Sequence, residues 1–386
     1  MNRFQKLFST FINNNSGKLH FACHSHHYWP DCTREAQLNY WDDSSRLVDD
    51  KWGEIFSKRI PNVQNLISEV LNFDRAEDIC FAPNTHELVT RVMSSFSGKI
   101  KLLTTDSEFY SFSRQLNRLI EENTVEATII PLEPIDTFEE RFTKESHKGF
   151  DLVFTSHVFF NSGYAINGLT EFVNKIEENN KFIIVDGYHA FMALPIDLSK
   201  IGDKIFYIAG GYKYVGSGEG SCFMTIPKSC KLRPLNTGWF AELSTLDNID
   251  ESQVGYPTNG LRFAGSTLDF TSLYRMESVL NLYKNEEINS ELIHTHVQNC
   301  QREFLKMVDG LNHSHLNREN LLYSEERDHG HFLTFELESA SLVESLKEKL
   351  SLNGVLTDSR KNRLRFGFSI YHDPKEYKAE LFNVTL

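Results

Sequence analysis

The chain has 386 residues, which is long enough for two domains and for the burial of a large cofactor. Its 40 basic and 53 acidic residues give a formal net charge of -13, and no basic stripe with interleaved aromatic residues occurs, so we expect no nucleic-acid partner. The apolar runs are far shorter than the roughly 20 residues of a membrane helix, and the N-terminus has no secretory signal pattern, so we expect a cytoplasmic protein with no membrane partner.

Helical patterns alternate with short apolar runs from about Val63 onward. The apolar runs are DICFAP, IKLLTT, EATIIP, FDLVFTSHV and KFIIVD. Because these runs do not alternate apolar with polar residues, they predict an α/β fold with a mostly parallel sheet that is covered by helices on both faces. Ligands in that architecture bind at the carboxyl ends of the strands.

The pattern changes after Leu268, where a long helix is predicted across two adjoining segments, TLDFTSLYRMESVLNLYKNE and INSELIHTHVQNCQREFLKMVDGL. A strand pattern at HFLTFELES, a helix pattern at ASLVESLKEKLSLNG and a strand pattern at RLRFGFSIY follow. We therefore predict an N-terminal segment over residues 1–45 that packs on the active site, a large domain over 46–268 and a smaller α+β domain over 269–386.

Lys213 lies in the segment IAGGYKYVGSGEG, among glycines and small residues and after an apolar strand pattern. A lysine needed for solubility would lie among other charges, so we interpret the glycines as keeping the backbone clear of a cofactor. Asp186 ends the strand pattern FIIVD, where an aspartate alone would more often be a turn or capping residue. Together, a lysine that can form an imine and a carboxylate that can hold a pyridinium proton are what pyridoxal 5'-phosphate (PLP) requires.

Two further features suit a phosphorylated aromatic cofactor. Asn84 and Thr85 begin a predicted helix, where free backbone N–H groups and the helix dipole favour an anion. A plain helix cap is the alternative interpretation of that pair. Phe109 follows the next strand pattern and can stack on a ring, whereas a lone aromatic residue there would otherwise belong to the core.

Several motifs together resemble a known family. The segments VDGYHA, GGYKYVGSGEG, LNTGWF, FAGST and GVLTDSRKNRLRFGFSIYHD are spread in order over roughly Asp78 to Asp373. They resemble kynureninase and, more broadly, the class V aminotransferase family. The resemblance implies the fold-type I PLP-dependent transferase fold, with a seven-stranded type of sheet in the large domain. It also implies a small amino-acid substrate and a homodimer with shared active sites.

The resemblance implies roles for individual residues. Lys213 and Asp186 are the catalytic pair, as the Schiff-base lysine and the partner of the pyridine nitrogen. Arg365 matches the arginine that clamps the substrate carboxylate, with Arg360 and Arg363 as nearby competitors. The remaining cofactor-binding residues are Asn84 and Thr85 in the phosphate loop, Phe109 as the stacking aromatic, His189 and Tyr212 near the phosphate, and Trp239, Ser266 and Thr267, which reach the partner subunit's site.

The N-terminal region departs from the kynureninase pattern. Where kynureninases carry a glycine-containing GNSLG segment, this chain has FACHSHHYWPD. We predict that His24 or His26 contacts the substrate, with a plain structural loop as the alternative. Three nearby histidines could also hold a metal, but neighbouring residues of an extended segment point in opposite directions, and the scattered cysteines form no C-x-x-C pair, so we expect no metal.

The sequence leaves the reaction open. Transamination and kynureninase-like hydrolysis of a Cβ–Cγ bond remain alternatives for a PLP enzyme acting on a small α-amino acid. A binding or regulatory protein that has lost catalysis is the alternative from another class. A cysteine desulfurase would need a nucleophilic cysteine on a mobile loop in the C-terminal third, where only Cys300 occurs, within a helix pattern, so that activity is disfavoured.

Overall fold

The computed structural model describes residues 2–243, 253–324 and 327–385. The strands, in chain order, are β1 (Leu19–His20), β2 (Ile79–Ala82), β3 (Ile100–Thr105), β4 (Val125–Ile130), β5 (Leu152–Ser156), β6 (Ile183–Asp186), β7 (Ile205–Gly210), β8 (Cys222–Thr225), β9 (Phe332–Glu336), β10 (Val355–Leu356), β11 (Asp358–Arg360) and β12 (Arg363–Gly367). The helices, in chain order, are α1 (Ser9–Asn14), α2 (Cys32–Leu47), α3 (Lys51–Glu54), α4 (Ile60–Leu71), α5 (Thr85–Met93), α6 (Tyr110–Glu121), α7 (Phe138–Ser146), α8 (Leu169–Glu177), α9 (Thr271–Asn285), α10 (Ser290–Asp309), α11 (Ala340–Leu352) and α12 (Ala379–Phe382).

Within the described residues, seven strands form the large sheet, in the order β2-β8-β7-β6-β5-β3-β4. Neighbouring strands from β4 to β7 run parallel, whereas β8 is antiparallel to both β7 and β2. All residues of β5, β7 and β8 are buried, as expected for strands with both faces covered. The predicted α/β fold with a mostly parallel sheet is confirmed.

The C-terminal part contains a smaller antiparallel sheet in the order β11-β12-β9, as the predicted α+β character requires. The single long helix predicted after Leu268 is wrong, because α9 and α10 are separate helices. Glu287 adopts a positive φ of 54°, and the side chain of Asn289 accepts a hydrogen bond from the backbone N–H of Leu292, which caps a new helix. The chain therefore turns between two amphipathic segments that look continuous in sequence.

The N-terminal region joins the C-terminal part. Strand β1 pairs in parallel with β10, and helix α2 packs along α9. The three-part division at residues 45 and 268 stays a prediction. No helix in the described ranges combines the length and the apolar composition needed to cross a bilayer.

Candidate active site

A cavity of about 340 Å³ lies where several strands of the large sheet end. Ser156 and Asp186 end β5 and β6, and Phe109 and Lys213 follow β3 and β7. The carboxyl ends of parallel strands meet at one edge of a sheet, which places these side chains around one space. Nine of the predicted site residues line it: His24, Asn84, Thr85, Phe109, Asp186, His189, Tyr212, Lys213 and Arg365.

The amine of Lys213 points into the cavity and donates a hydrogen bond of 2.6 Å to the carbonyl oxygen of His24. Burial and, after it, the positive charge of Arg365 lower the pKa of Lys213 from its ordinary value of 10.5 to about 7, while Asp358 and Asp186 act in the opposite direction. A large fraction of the amines is therefore neutral near pH 7, which is the form that attacks a carbonyl or accepts a proton.

The glycines around Lys213 have a different role from the one predicted. A Cβ on Gly216, where φ is 74°, would lie 2.7 Å from the carbonyl oxygen of Tyr28. A Cβ on Gly218, where φ is 76°, would lie 2.6 Å from the ring of Trp29. Positive φ and close packing of the N-terminal segment therefore require these glycines, and the interpretation that they clear space for a cofactor is wrong for both.

The carboxylate of Asp186 accepts a hydrogen bond of 2.9 Å from the backbone N–H of Tyr188. Burial raises the pKa of Asp186 to about 6, although this hydrogen bond and the charge of Lys213 both act to lower it. A buried carboxyl group with a pKa this close to neutrality would be stabilised in its charged form by a cationic ring nitrogen.

Glu108 is a buried carboxyl group that the sequence analysis missed. Its side chain accepts hydrogen bonds from the hydroxyl groups of Thr105 at 2.7 Å and Ser156 at 2.5 Å, and the residue is 2% exposed. Burial and, to a smaller extent, the negative charge of Asp186 raise its pKa to about 8 against the effect of these hydrogen bonds. Glu108 is therefore mostly neutral at pH 7. The sequence signal that could have indicated Glu108 is its position after a strand pattern and directly before Phe109.

The start of α5 contributes Asn84 and Thr85. The side chain of Asn84 accepts a hydrogen bond of 2.9 Å from the backbone N–H of Glu87, so Asn84 is the helix cap that the alternative interpretation described. Thr85 is the first residue of the helix, and backbone N–H groups of a first turn have no partner within the helix. The cap and an anion site are compatible, because the cap uses only one of those N–H groups.

Phe109 is 44% exposed at the cavity, and its ring meets that of Phe160 edge to face at 5.3 Å. It is therefore not a core residue, and its remaining surface is available to a ligand.

His189 is buried among the charges of the site. Its burial and, after it, the charge of Lys213 hold the pKa of His189 well below the ordinary value. Its Nδ1 has no hydrogen-bond partner within the described residues.

The three candidate arginines have different surroundings. Arg365 is 2% exposed, lines the cavity and donates to the carbonyl oxygen of Phe160 and to the carboxylate of Asp358. Arg360 also lines the cavity and donates to the same carboxylate at 2.9 Å. Arg363 donates to Glu336 at 2.9 Å and does not line the cavity. Asp358 lies opposite Arg365 in the pairing of β11 with β12 and was not among the residues predicted from the sequence.

The N-terminal histidines diverge, as neighbouring residues of an irregular segment do. His24 is buried, lines the cavity and stacks on Phe332 with ring centroids 4.6 Å apart. His26 does not line the cavity, but its Nδ1 lies 2.7 Å from the hydroxyl oxygen of Tyr212. His27 Nε2 lies 2.6 Å from the hydroxyl oxygen of Ser369. Of the two histidines predicted to contact substrate, only His24 is placed to do so directly.

Trp239, Ser266 and Thr267 do not line this cavity in their own chain. The Nε1–H of Trp239 donates a hydrogen bond of 3.1 Å to the hydroxyl oxygen of Thr267. Ser266 and Thr267 line a second cavity, which also contains Arg91 and Arg275. One chain therefore does not bring these three residues to Lys213.

The family of the protein follows from a comparison of its sequence with known families. The family model described as aminotransferase class V matches residues 30–355. The chain belongs to the aminotransferase class-V family. PLP is the cofactor of this family and therefore of this protein. The cavity fits that group, because it combines a reactive lysine, a carboxyl group poised near neutrality, an exposed aromatic face and a helix N-terminus.

Solved structures that are similar to this aminotransferase class-V protein share its fold. A variant of C-DES with glycine covalently linked to its PLP cofactor is 16% identical, with a TM-score of 0.80 and full coverage of both chains. The cystine C–S lyase C-DES with its product cysteine persulfide has a TM-score of 0.78 at 16% identity, over 96% of this chain and 97% of the other. A cysteine desulfurase from Thermococcus onnurineus NA1 has a TM-score of 0.78 at 14% identity, over 96% and 94%. No curated protein matches the sequence.

Proposed function

We propose that this PLP-dependent enzyme acts on a small α-amino acid and uses Lys213 to move the proton at Cα. The observation that carries the proposal is one cavity that holds a lysine of pKa about 7, the carboxyl group of Asp186 and the guanidinium of Arg365. A lysine, a carboxylate and an arginine in one cavity match the needs of an amino acid held by its carboxylate and deprotonated at Cα.

The residues divide the work of holding PLP. Lys213 would hold it covalently, Asp186 would hold the proton of its ring nitrogen, and Phe109 would cover one ring face. The first turn of α5, from Thr85, would receive the phosphate, with Tyr212 and its partner His26 nearby. When bound, PLP supplies a sink for the electrons of a bond that breaks at Cα.

The remaining groups of the cavity would act on the substrate itself. The guanidinium of Arg365 orients the α-carboxylate, which fixes which Cα bond faces the cofactor. The neutral amine of Lys213 accepts the Cα proton and can return it at the next atom. Glu108 is mostly neutral, so it adds little negative charge beside Asp186 at pH 7.

Two outcomes of this chemistry stay within the proposal, namely transamination and kynureninase-like hydrolysis of a Cβ–Cγ bond. The apolar walls from Phe109, Val158 and Phe160 support a substrate side chain of aromatic or aliphatic character. Transamination leaves the carbon skeleton intact, whereas hydrolysis releases a carboxylic acid and alanine. The products therefore distinguish the two outcomes.

Cleavage of a C–S bond is a second candidate. It is favoured by the similarity over nearly the whole chain to a cystine C–S lyase, whose reaction product is cysteine persulfide. All six cysteines lie in the described ranges and none lines the cavity, so this candidate uses no protein thiol as sulfur acceptor. L-Cystine is accordingly the sulfur substrate to test.

We also propose a homodimer in which Trp239, Ser266 and Thr267 reach the partner's cavity. The support is that these residues do not line the cavity of their own chain, although the resemblance assigns them to an active site. Sedimentation of the purified protein would give twice the mass of the chain. A monomer that binds PLP and turns over substrate would contradict this assembly.

The test of the proposed function is the visible absorption of the PLP-loaded protein and of its Lys213→Ala variant. We expect the wild-type protein to absorb in the visible, to change its spectrum with at least one of L-kynurenine, L-cystine and L-alanine, and to give the matching product. Lys213→Ala should lose the covalent chromophore and at least about 1,000-fold of the rate, because it loses both the attachment and the base.

Lys204→Ala is the matched control, because Lys204 lies at the other end of β7, directly before the strand, and pairs there with Glu177. It should keep the spectrum and the rate. A wild-type protein that binds PLP but responds to no amino acid would overturn the proposed function in favour of a binding protein.

A further inference from the structure

Three charged side chains form a compact group at the cavity. Two of them are Arg360 and Arg365, which we call the arginine pair, and the third is Asp358, which binds both. The two oxygens of Asp358 are divided between the arginines, because Oδ1 accepts from Arg360 at 2.9 Å and Oδ2 accepts from Arg365. His24 Nε2 lies 3.5 Å from Oδ2. Arg360 and Arg365 both line the cavity.

The arginine pair keeps donors without partners. Within the described part of the chain, the buried Nε–H groups of both Arg360 and Arg365 lack a hydrogen-bond acceptor. A buried donor without an acceptor is costly, so a ligand that supplied an acceptor oxygen to these donors would stabilise the group. The carboxylate of an α-amino acid offers two oxygens to such donors.

The net charge of the group limits how many carboxylates it can bind. Two guanidinium groups and one carboxylate give a net charge of about +1 at pH 7. The neighbouring histidines change this little, because burial lowers the pKa of His24 to about 3 and holds that of His189 well below its ordinary value. For Asp358 itself, burial alone would raise the pKa, but His24 and the charges of Arg365 and Arg360 lower it well below its ordinary value.

We infer that Asp358 determines substrate specificity by neutralising one of the two arginines, so that the site accepts amino acids whose side chain carries no net charge and rejects those whose side chain is net negative. The inference rests on the proposed function. A single α-carboxylate balances the charge of the group, whereas the carboxylate of a net negative side chain would be desolvated close to the buried carboxylate of Asp358 with no cation left for it. Asp358 acts through the arginines and is a specificity-determining positioning residue.

The test compares amino acids that differ in charge but hardly in shape, namely L-asparagine with L-aspartate and L-glutamine with L-glutamate. The measured quantity is the concentration that half-saturates the visible spectral change of the PLP-loaded protein. We expect the wild-type protein to favour the amide member of each pair. Asp358→Asn should shift that ratio toward the acidic member by about tenfold or more, because like-charge repulsion is removed and an arginine is freed.

Glu336→Gln is the matched control, because it removes the partner of Arg363 in the same small sheet without changing the charge of the cavity. It should leave both ratios at the wild-type value. If Asp358→Asn changes neither ratio, including the case in which no pair binds either protein, the inference is wrong. A ratio that moves equally in Glu336→Gln would show a general effect of the small sheet and would also overturn it.

Arg360→Gln supplies a second variant if Asp358→Asn fails to fold. Its side chain is 33% exposed, so the substitution is better tolerated, and it leaves Arg365 and Asp358 as a neutral pair. The concentration of L-alanine that half-saturates the spectral change should then rise about tenfold or more, because no net positive charge remains for the α-carboxylate. Unchanged binding of L-alanine would contradict the charge count. A wild-type protein that responds to no amino acid would instead remove the proposed function, and this inference with it.

Discussion

The cavity is built from two groups of residues that reach it in different ways. The strand-end group, namely Asn84, Thr85, Asp186 and Lys213, comes from the ends of three strands of one sheet. Asp186 ends β6, Asn84 and Thr85 come shortly after β2, and Lys213 comes shortly after β7. The arginine group, namely His24, Asp358, Arg360 and Arg365, joins an N-terminal turn to a C-terminal hairpin more than 300 residues later in the chain. The first group reflects the topology of the sheet, and the second depends on contacts between distant segments.

This difference indicates which residues of the site can be changed without altering the chemistry that all substrates share. Side chains at strand ends are positioned by the buried sheet beneath them, so the chemistry common to the family can stay constant. The arginine group depends on charge balance among side chains from three segments, so one substitution can alter what the site accepts. We therefore expect changes in the strand-end group to affect the rate for every substrate and changes in the arginine group to affect substrates unequally.

The largest effect within this comparison is expected for Asp186→Asn. The amide cannot hold the proton on the ring nitrogen, so kcat should fall about 100- to 1,000-fold for every substrate while PLP remains bound. Glu108→Gln tests the neighbouring carboxyl group, which is mostly neutral and held by Thr105 and Ser156. We expect it to change kcat by less than about fivefold. Equal losses in steady-state kinetics of the two variants would contradict the roles assigned to them.

A smaller and more selective effect is expected for Arg365→Lys. An ammonium group cannot make the planar two-point contact of a guanidinium, so kcat/KM should fall about 10- to 100-fold, mostly through KM. Arg363→Lys is the control on the same strand, because Arg363 pairs with Glu336 and does not line the cavity. A similar loss of kcat/KM in Arg363→Lys would mean that the wrong arginine had been assigned to the substrate carboxylate.

The smallest effect concerns stability and tests the strand-end group without any substrate. Lys213 has a pKa of about 7 in the folded chain against an ordinary value of 10.5, so between these values the unfolded chain binds more protons and stability rises with pH. Below about pH 7 the cost of the buried charge is fully present, and above about pH 10.5 it is absent. Lys213→Met should therefore stabilise the cofactor-free protein by about 1 to 3 kcal/mol at pH 6, with some reduction for solvent contact.

Urea denaturation of the two cofactor-free proteins at pH 6, 8 and 10 measures this difference. The advantage of Lys213→Met should shrink as the pH rises. An advantage that stays constant from pH 6 to pH 10 would show that packing of the methionine, and not the charge of Lys213, is its cause.

The sequence predicted the sheet and the strand-end group because both depend on local patterns. An apolar run such as KFIIVD specifies a buried strand and also places Asp186 at its end. The same reasoning failed for the break between α9 and α10, because a turn at Glu287 and a cap at Asn289 interrupt two helical patterns without a glycine or a proline. Local patterns therefore predicted where helices and strands lie along the chain more reliably than they predicted the turns between them.

The arginine group could be predicted only in part. A conspicuous run of arginines indicated Arg360, Arg363 and Arg365. Their spacing does not reveal which of them lines the cavity, where a substrate carboxylate would bind, and which pairs with Glu336 outside it. Asp358 has no distinctive neighbours, and its importance comes from its position opposite Arg365 across two strands. The roles of the glycines near Lys213 were misjudged for the same reason, since their neighbours Tyr28 and Trp29 are distant in sequence.

The hydrogen bond from Lys213 to the carbonyl oxygen of His24 links the state of the lysine to the N-terminal turn. An amine that becomes bonded to a cofactor has fewer N–H bonds to give, so His24 must exchange this donor for another whenever PLP arrives or leaves. The turn from Phe21 to His26 also meets the small sheet, where Gly367 donates its backbone N–H to the carbonyl oxygen of Phe21. Backbone amide exchange in that turn should thus distinguish loaded from empty protein, and the N-terminal segment would serve as a built-in reporter of cofactor occupancy.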